Sequence, residues 1–279
     1  MSDYTKKKDK IKIAAVGDNC MDVYDAENKG FPGGNPVNVA VYTVRLGYEA
    51  SYMGAVGTDQ YGIQMVDSIK KMGVDTSHIK VVEGSTAVTH VELRDGDRIL
   101  GHYEEGVMSN FYLNDEDILF LSEHDIVITG IWGKIENELS YIKEKGVPIA
   151  FDFATKLDEE MTEEVYEIVK KALPYTDYAF YSSDKSTEEL KEDMKSIYEC
   201  GPKIVIVTRG EKGSIAFDGE TFTESGIVKC KVVDTLGAGD SYIAGFLIGL
   251  LEGRHLKECM EYGAENSSIT IQYFGAWNV

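Results

Sequence analysis

The chain has 279 residues, 43% of them hydrophobic and 27% charged, which is ordinary globular composition with length for one large α/β unit and a small appendage. A formal charge of −20 argues against binding a nucleic-acid backbone, which needs a basic surface, although a single nucleotide needs only a few local amides and one or two cations. No apolar run approaches the roughly 20 residues of a membrane span, and residues 1–8 carry charge with no apolar signal region behind them, so a cytoplasmic protein without membrane or nucleic-acid partners is expected.

Along the chain, residues 11–16 read as a buried strand, followed by Gly17-Asp18-Asn19-Cys20-Met21-Asp22 and an extended piece over 21–31. Residues 35–46 have helical spacing, 51–56 return to a strand and 61–72 are again helical. Between 86 and 103, two strand-like runs flank Arg94-Asp95-Gly96-Asp97-Arg98, which predicts a hairpin around a glycine turn. Together with 21–31 it forms an expected small β lid. Strand-like runs at 125–129, 148–153, 178–181 and 204–208 then alternate with helical stretches at 159–172 and 186–200. That rhythm predicts an α/β fold with a mainly parallel sheet and helices on both faces. No linker or repeat interrupts it, so the expected unit is 1–279, with lid segments at about 20–32 and 86–108. Cys20, Cys200, Cys230 and Cys259 form no CxxC pair and are expected as reduced thiols.

Near the C-terminus an extended run, 228–233, leads into Asp234-Thr235-Leu236-Gly237-Ala238-Gly239-Asp240, and an apolar helix-compatible stretch follows. The segment therefore starts a helix. Gly237, Ala238 and Gly239 leave backbone N–H groups unshielded where the helix dipole adds positive potential, so they read as an anion hole. Asp240 beside it is placed to take a proton from a hydroxyl nucleophile during phosphoryl transfer. The other reading makes Asp240 a cap or first-turn residue.

Asp-Thr-Leu-Gly-Ala-Gly-Asp-Ser over 234–241 resembles the C-terminal signature of the PfkB or ribokinase family of carbohydrate kinases. Gly33-Gly34-Asn35-Pro36-Val37-Asn38-Val39-Ala40 resembles the family's N-terminal segment, and Gly54 to Gly62 and Val207 to Gly213 follow in the family's order. The resemblance implies a ribokinase-like three-layer α/β/α domain with a small β lid, using ATP and Mg²⁺. It implies that Asp240 is the catalytic base and that Gly237, Ala238 and Gly239 supply the anion hole. It places the sugar against Asp22, Gly33, Gly34 and Asn38, with Asp18 as a rival to Asp22. Thr208, Gly210 and Gly213 are implied along the ATP phosphates and ribose, and Asn266 or Ser267 near the adenine. Lys156 would face the phosphates or be a solvated lysine. Where the family's metal-linked motif belongs, this chain has Ser182-Ser183-Asp184-Lys185-Ser186-Thr187-Glu188, so no metal ligand is assigned and Asp184 or Glu188 would act through water. Asp234 matches a monovalent-cation position of some relatives, or is a strand-end aspartate. The lid implies a homodimer.

Several stretches, among them Tyr103-Glu104-Glu105-Gly106 and Ile131-Trp132-Gly133, look like members of the family that phosphorylate the 6-hydroxyl of a fructosamine. A fructosamine adds a secondary ammonium and an amino-acid end to the sugar. Glu92, Glu104 or Glu105 would pair the ammonium, Tyr103 or Trp132 would lie against the substrate, and Arg94 or Arg98 would hold its carboxylate. Plain fructokinase or ribokinase activity is the alternative within the family. A catalytically silent sensing module is disfavoured by the intact 237–240 segment, and a dinucleotide-dependent oxidoreductase by the absence of Gly-x-Gly-x-x-Gly after the first strand.

Overall fold

The computed structural model describes residues 11–24, 29–94 and 97–277, with the side chains of 92–94 and 97–100 left out. In chain order the first elements are β1 (Lys12–Val16), β2 (Cys20–Tyr24), β3 (Lys29–Gly33), α1 (Asn35–Arg45), β4 (Glu49–Met53), β5 (Ala55–Gly57) and α2 (Gln60–Lys71). Next come β6 (Lys80–Val82), β7 (Val88–Arg94), β8 (Asp97–Glu104), α3 (Asp115–Leu121), β9 (Ile126–Gly130), α4 (Leu139–Glu144) and β10 (Ile149–Lys156). The chain continues through α5 (Glu163–Ala172), β11 (Tyr178–Ser182), α6 (Thr187–Glu199), β12 (Ile204–Thr208), β13 (Ser214–Phe217) and β14 (Phe222–Ser225). Two packed helices, α7 (Ala238–Leu251) and α8 (Leu256–Thr270), close it.

Eight strands form the main sheet in the order β14-β13-β12-β11-β10-β9-β1-β4, parallel from β12 to β4 and antiparallel at the β13 and β14 edge. Strands β1, β9 and β12 read as near-continuous apolar runs because both their faces are covered. Alternate side chains split cleanly. Ile13, Ile128, Ala150, Phe180 and Ile206 pack under α1, α2, α7 and α8, whereas Ala14, Val127, Phe151, Tyr181 and Val207 pack under α3 to α6. This is the three-layer arrangement, a mainly parallel sheet with helices on both faces, expected from the strand and helix rhythm.

A second sheet, β3-β2-β7-β8, is built from the two segments expected as a lid. It is tied to the body by Asp59, the N-cap of α2, which accepts from Gly62 N at 2.8 Å and from Thr86 N and Oγ1 at 3.0 and 2.6 Å. Thr86 leads directly into β7. Helix α5 starts at Glu163 rather than near 159, because Thr162 caps it by accepting from Val165 N at 3.3 Å. The run 228–233 is not a strand; it belongs to an irregular segment between β14 and α7 in which Val228, Val232 and Val233 are exposed.

Candidate active site

In a parallel sheet the strand ends are where chemistry-bearing residues converge. Here β1 delivers Asp18, β9 is followed by Trp132, and β10 carries Asp152 level with Gly130, the last residue of β9, while α1 and α7 point their first turns at the same edge. Asn35 opens α1 and Asp240 lies in the first turn of α7, 205 residues apart in sequence.

The two helices meet through that pair. Asn35 Nδ2 donates to Asp240 Oδ1 at 2.7 Å and to Asp152 Oδ2 at 2.8 Å, and Asn38 Nδ2 donates to Asp240 Oδ2 at 2.6 Å. Asp240 is therefore turned towards α1 and does not cap its own helix, whose N-cap is Gly237. Burial pushes the Asp240 carboxyl up to about 6, against the two amides that favour its ionised form.

Two further carboxyls share this pocket. Burial raises Asp18 to about 7, opposed by the Asn35 N–H and assisted by the Asp240 charge, and it raises Asp152 to about 7 with the Ala154 N–H opposing. Asp18 Oδ2 accepts from Asn35 N at 3.3 Å and so caps α1, but its Oδ1 is buried with no partner among the described residues. A buried acceptor without a donor is costly unless a ligand supplies one. Ala154, with φ 46°, holds a left-handed backbone beside Asp152 and donates its N–H to Asp152 Oδ1 at 2.9 Å.

The expected sugar residues gather nearby. Asp22 sits in β2 opposite Phe31 of β3, and a Cβ on Gly33 would lie 3.3 Å from Asp22 Oδ2, so the glycine lets the carboxylate rest against the backbone. Gly34 is the N-cap of α1 at φ 110°. Tyr103, at the end of the hairpin, is half-exposed, and burial together with the Asp18 and Cys20 charges pushes its phenol well above the usual range. Trp132 is exposed in the loop after β9, at the same strand-end edge as Asp18 and Asp152. Glu105 is not unpaired: its carboxylate lies 2.8 Å from Lys134 Nζ, a residue that no sequence signal singled out. Glu104 lies 3.5 Å from the His90 ring, and the side chains of Glu92, Arg94 and Arg98 lie outside the described residues.

On the other side of the α7 terminus opens a cavity of about 520 Å³. Thr208, Gly210 and Gly213 line one wall, Ala238 and Gly239 the inner end, and Ser267 the α8 side. Its apolar wall comes from Ile227, Val228 and Val232 of the irregular segment, which the sequence presented only as an extended run. Asn266 departs from expectation. Helical geometry turns it inward, where it is buried and donates to Ser241 O at 2.6 Å, so it braces α7 against α8 and does not line the cavity. Ala238 also departs in part, because its N–H is donated to Thr235 O at 3.2 Å, leaving Gly239 and Asp240 as the orphan first-turn donors.

The charged residues expected near phosphates and metal are mutually paired. Lys156 Nζ lies 3.2 Å from Asp184 Oδ2 and 3.5 Å from Glu159, and Glu188 is bridged by Lys191. No group of three His, Cys, Asp or Glu is gathered for a metal among the described residues. Asp234 accepts Leu236 N at 3.1 Å and Gly275 N at 2.9 Å, the arrangement of a brace between the α7 approach and the C-terminal tail.

Residues 10–278 match the pfkB family carbohydrate kinases. The chain is 44% identical to a fructoselysine 6-kinase of Shigella flexneri, over 95% of this chain and 99% of that protein. It is 35% identical to a fructosamine kinase of Bacillus subtilis, over 96% and 93% of the two chains. Among solved structures, an Arabidopsis thaliana ribokinase complexed with ribose and ATP superposes with a TM-score of 0.80 at 21% identity, covering 95% of this chain and 94% of that one, which speaks to the fold.

Proposed function

Since the chain belongs to the pfkB family of carbohydrate kinases, we propose that it transfers the γ-phosphoryl group of ATP to the 6-hydroxyl of a fructosamine such as fructoselysine. The observation that carries the chemistry is the part-buried Asp240, held by Asn35 and Asn38 in the same helix turn whose Gly239 borders the 520 Å³ cavity. A base and an anion-binding turn thereby share one helix end.

In this reading the sugar lies between the small sheet and Asp240, with Asp22, Asp18, Gly33, Gly34 and Asn38 around it. The orphan Asp18 Oδ1 accepts a sugar hydroxyl, and Asp240 accepts the proton of the attacking hydroxyl. The Gly239 and Asp240 N–H groups, at the positive end of the α7 dipole, stabilise charge that develops on the transferring group. MgATP supplies that group, and Mg²⁺ enters as part of this co-substrate with its coordination left to phosphates and water. Thr208, Gly210, Gly213 and Ser267 hold the nucleotide, with Ile227 and Val228 against the base. The cavity volume falls in the usual range for such ligands, roughly 300–1,000 Å³. Tyr103 and Trp132 lie against the fructosamine, and the pair Glu105 and Lys134 offers both signs of charge to its amino-acid end. The whole chain is one catalytic unit, the small sheet serves as lid and as the pairing surface for a homodimer, and the enzyme works in the cytoplasm. No step is assigned to a monovalent cation.

Initial rates with fructoselysine, psicoselysine, fructose and ribose, each with MgATP, test the reading. A fructosamine should give the highest kcat/KM, and a clear preference for unmodified fructose would refute the acceptor assignment while leaving the kinase assignment intact.

A further inference from the structure

The C-terminal tail reaches the candidate base through one amide. Trp277, buried behind α1, donates its indole Nε1–H to Asn38 Oδ1 at 2.6 Å, and Asn38 Nδ2 then donates to Asp240 Oδ2 at 2.6 Å. An asparagine amide has two unlike ends, and an indole nitrogen can only donate. With Trp277 in place, the Asn38 oxygen must face the indole and its NH₂ must face the carboxylate. Without that donor, the amide is free to present its oxygen to Asp240, where two acceptors repel.

We propose that Trp277 is a positioning residue for the base: it fixes the orientation of the Asn38 amide, and through it the ionised state and aim of Asp240. This rests on Asp240 being the base. Two other contacts hold the tail independently of the indole, Gly275 N to Asp234 Oδ2 at 2.9 Å and the Tyr42 hydroxyl to Ala276 O. Tail docking and amide orientation can therefore be separated. The titratable groups that face Asp240 are Asp18 at the end of β1, Asp152 on β10 and Tyr42 on α1. Trp277→Phe leaves all three in place, and Tyr42, whose phenol burial holds well above its ordinary value, stays neutral throughout the range tested.

The experiment is the pH profile of kcat/KM for the fructosamine in parent, Trp277→Phe and Tyr42→Phe. In Trp277→Phe the acidic limb should move up by about one unit, so that kcat/KM is about fivefold lower near pH 6 and equal to the parent near pH 8.5, with KM for ATP unchanged. Tyr42→Phe loosens the tail but keeps the indole donor and should leave the limb in place. A loss in Trp277→Phe that is the same at every pH, or equal limb shifts in both variants, would overturn the proposal in favour of simple tail docking. Should Trp277→Phe fail to fold, replacement of Trp277 by 3-benzothienylalanine, which keeps the ring's shape but has sulfur in place of the N–H, is the variant to read: a limb displaced upward supports the proposal and a parental limb overturns it. If Asp240→Asn retains parental turnover, the fault lies in the assignment of the base and not in Trp277.

Discussion

Asp240 experiences two opposed influences, burial that disfavours its charge and two side-chain amides that favour it. Replacing it with Asn keeps the shape and removes the base, so kcat should fall by about 10²–10⁴-fold while ATP affinity and the melting temperature stay near parental. Steady-state kinetics with equilibrium nucleotide binding checks both halves. In the parent, kcat/KM for the sugar should rise with pH through about 6, where the carboxyl ionises, and then level off. Asp18 and Asp152 have a different consequence, for stability. Their folded values, about 7, lie above the ordinary 3.8, so between these limits the native state holds protons more tightly than the unfolded chain. Stability is therefore lost as pH rises from about 4 to about 7, the reverse of the usual salt-bridged carboxylate. Asp18→Asn should be more stable than the parent at pH 8, by on the order of 2 kcal/mol, with the advantage vanishing in acid. Thermal melts of both proteins across that range decide it; a parental advantage at pH 8 would contradict the assigned cause. Asp240 was legible because Gly-Ala-Gly-Asp before an apolar stretch carries its own chemistry. Asn35, Asp152 and Trp277 were not, because nothing in their local sequence marks a contact made over more than a hundred residues.

At the scale of the element, the start of α7 depends on a left-handed residue. Gly237 sits at φ 75°, and a Cβ there would come 2.5 Å from the Tyr42 hydroxyl. Gly237→Ala should cost about 1–3 kcal/mol of stability, through the strained backbone and the displaced tyrosine. Because the same turn aims the Gly239 and Asp240 amides, kcat should drop as well. Urea unfolding midpoints set against turnover at a temperature where the variant is folded separate the two effects, and full turnover would show that this turn's geometry is not used. Helix α7 itself was readable from its unbroken apolar run, since a helix apolar all round must be buried, here between α1 and α8. The segment before it was not. Val228 to Val233 has β-rich composition, but with no strand beside it to pair with among the described residues, it contributes an exposed apolar wall to the 520 Å³ cavity.

At the scale of the molecule, the cavity and the carboxylate pocket lie on opposite sides of one helix end, so the two substrates should bind as separate stabilising ligands. With Asp240→Asn, in which turnover should be slowed by the factor given above, MgATP at about 100 times its Kd should raise stability by about 2.7 kcal/mol, and the fructosamine should add its own increment. Differential scanning calorimetry with each ligand and with both measures this. A fructosamine that produced no shift at saturating concentration would argue against the pocket around Asp18 and Asp22.

The sequence by itself determined the layered α/β fold, the small sheet, and a kinase-like segment at 234–240, because apolar periodicity, turn glycines and a helix-start signature are local properties of the chain. Only the tertiary structure decided which groups attend Asp240. The closing of α1 on α7 put Asn35 and Asn38 on its two oxygens, burial in that closure brought Asp18 and Asp152 to about 7, and helical geometry sent Asn266 into the core while Ser267 faced the cavity. Orientation, desolvation and partner choice arise when distant elements pack, and no residue carries them alone.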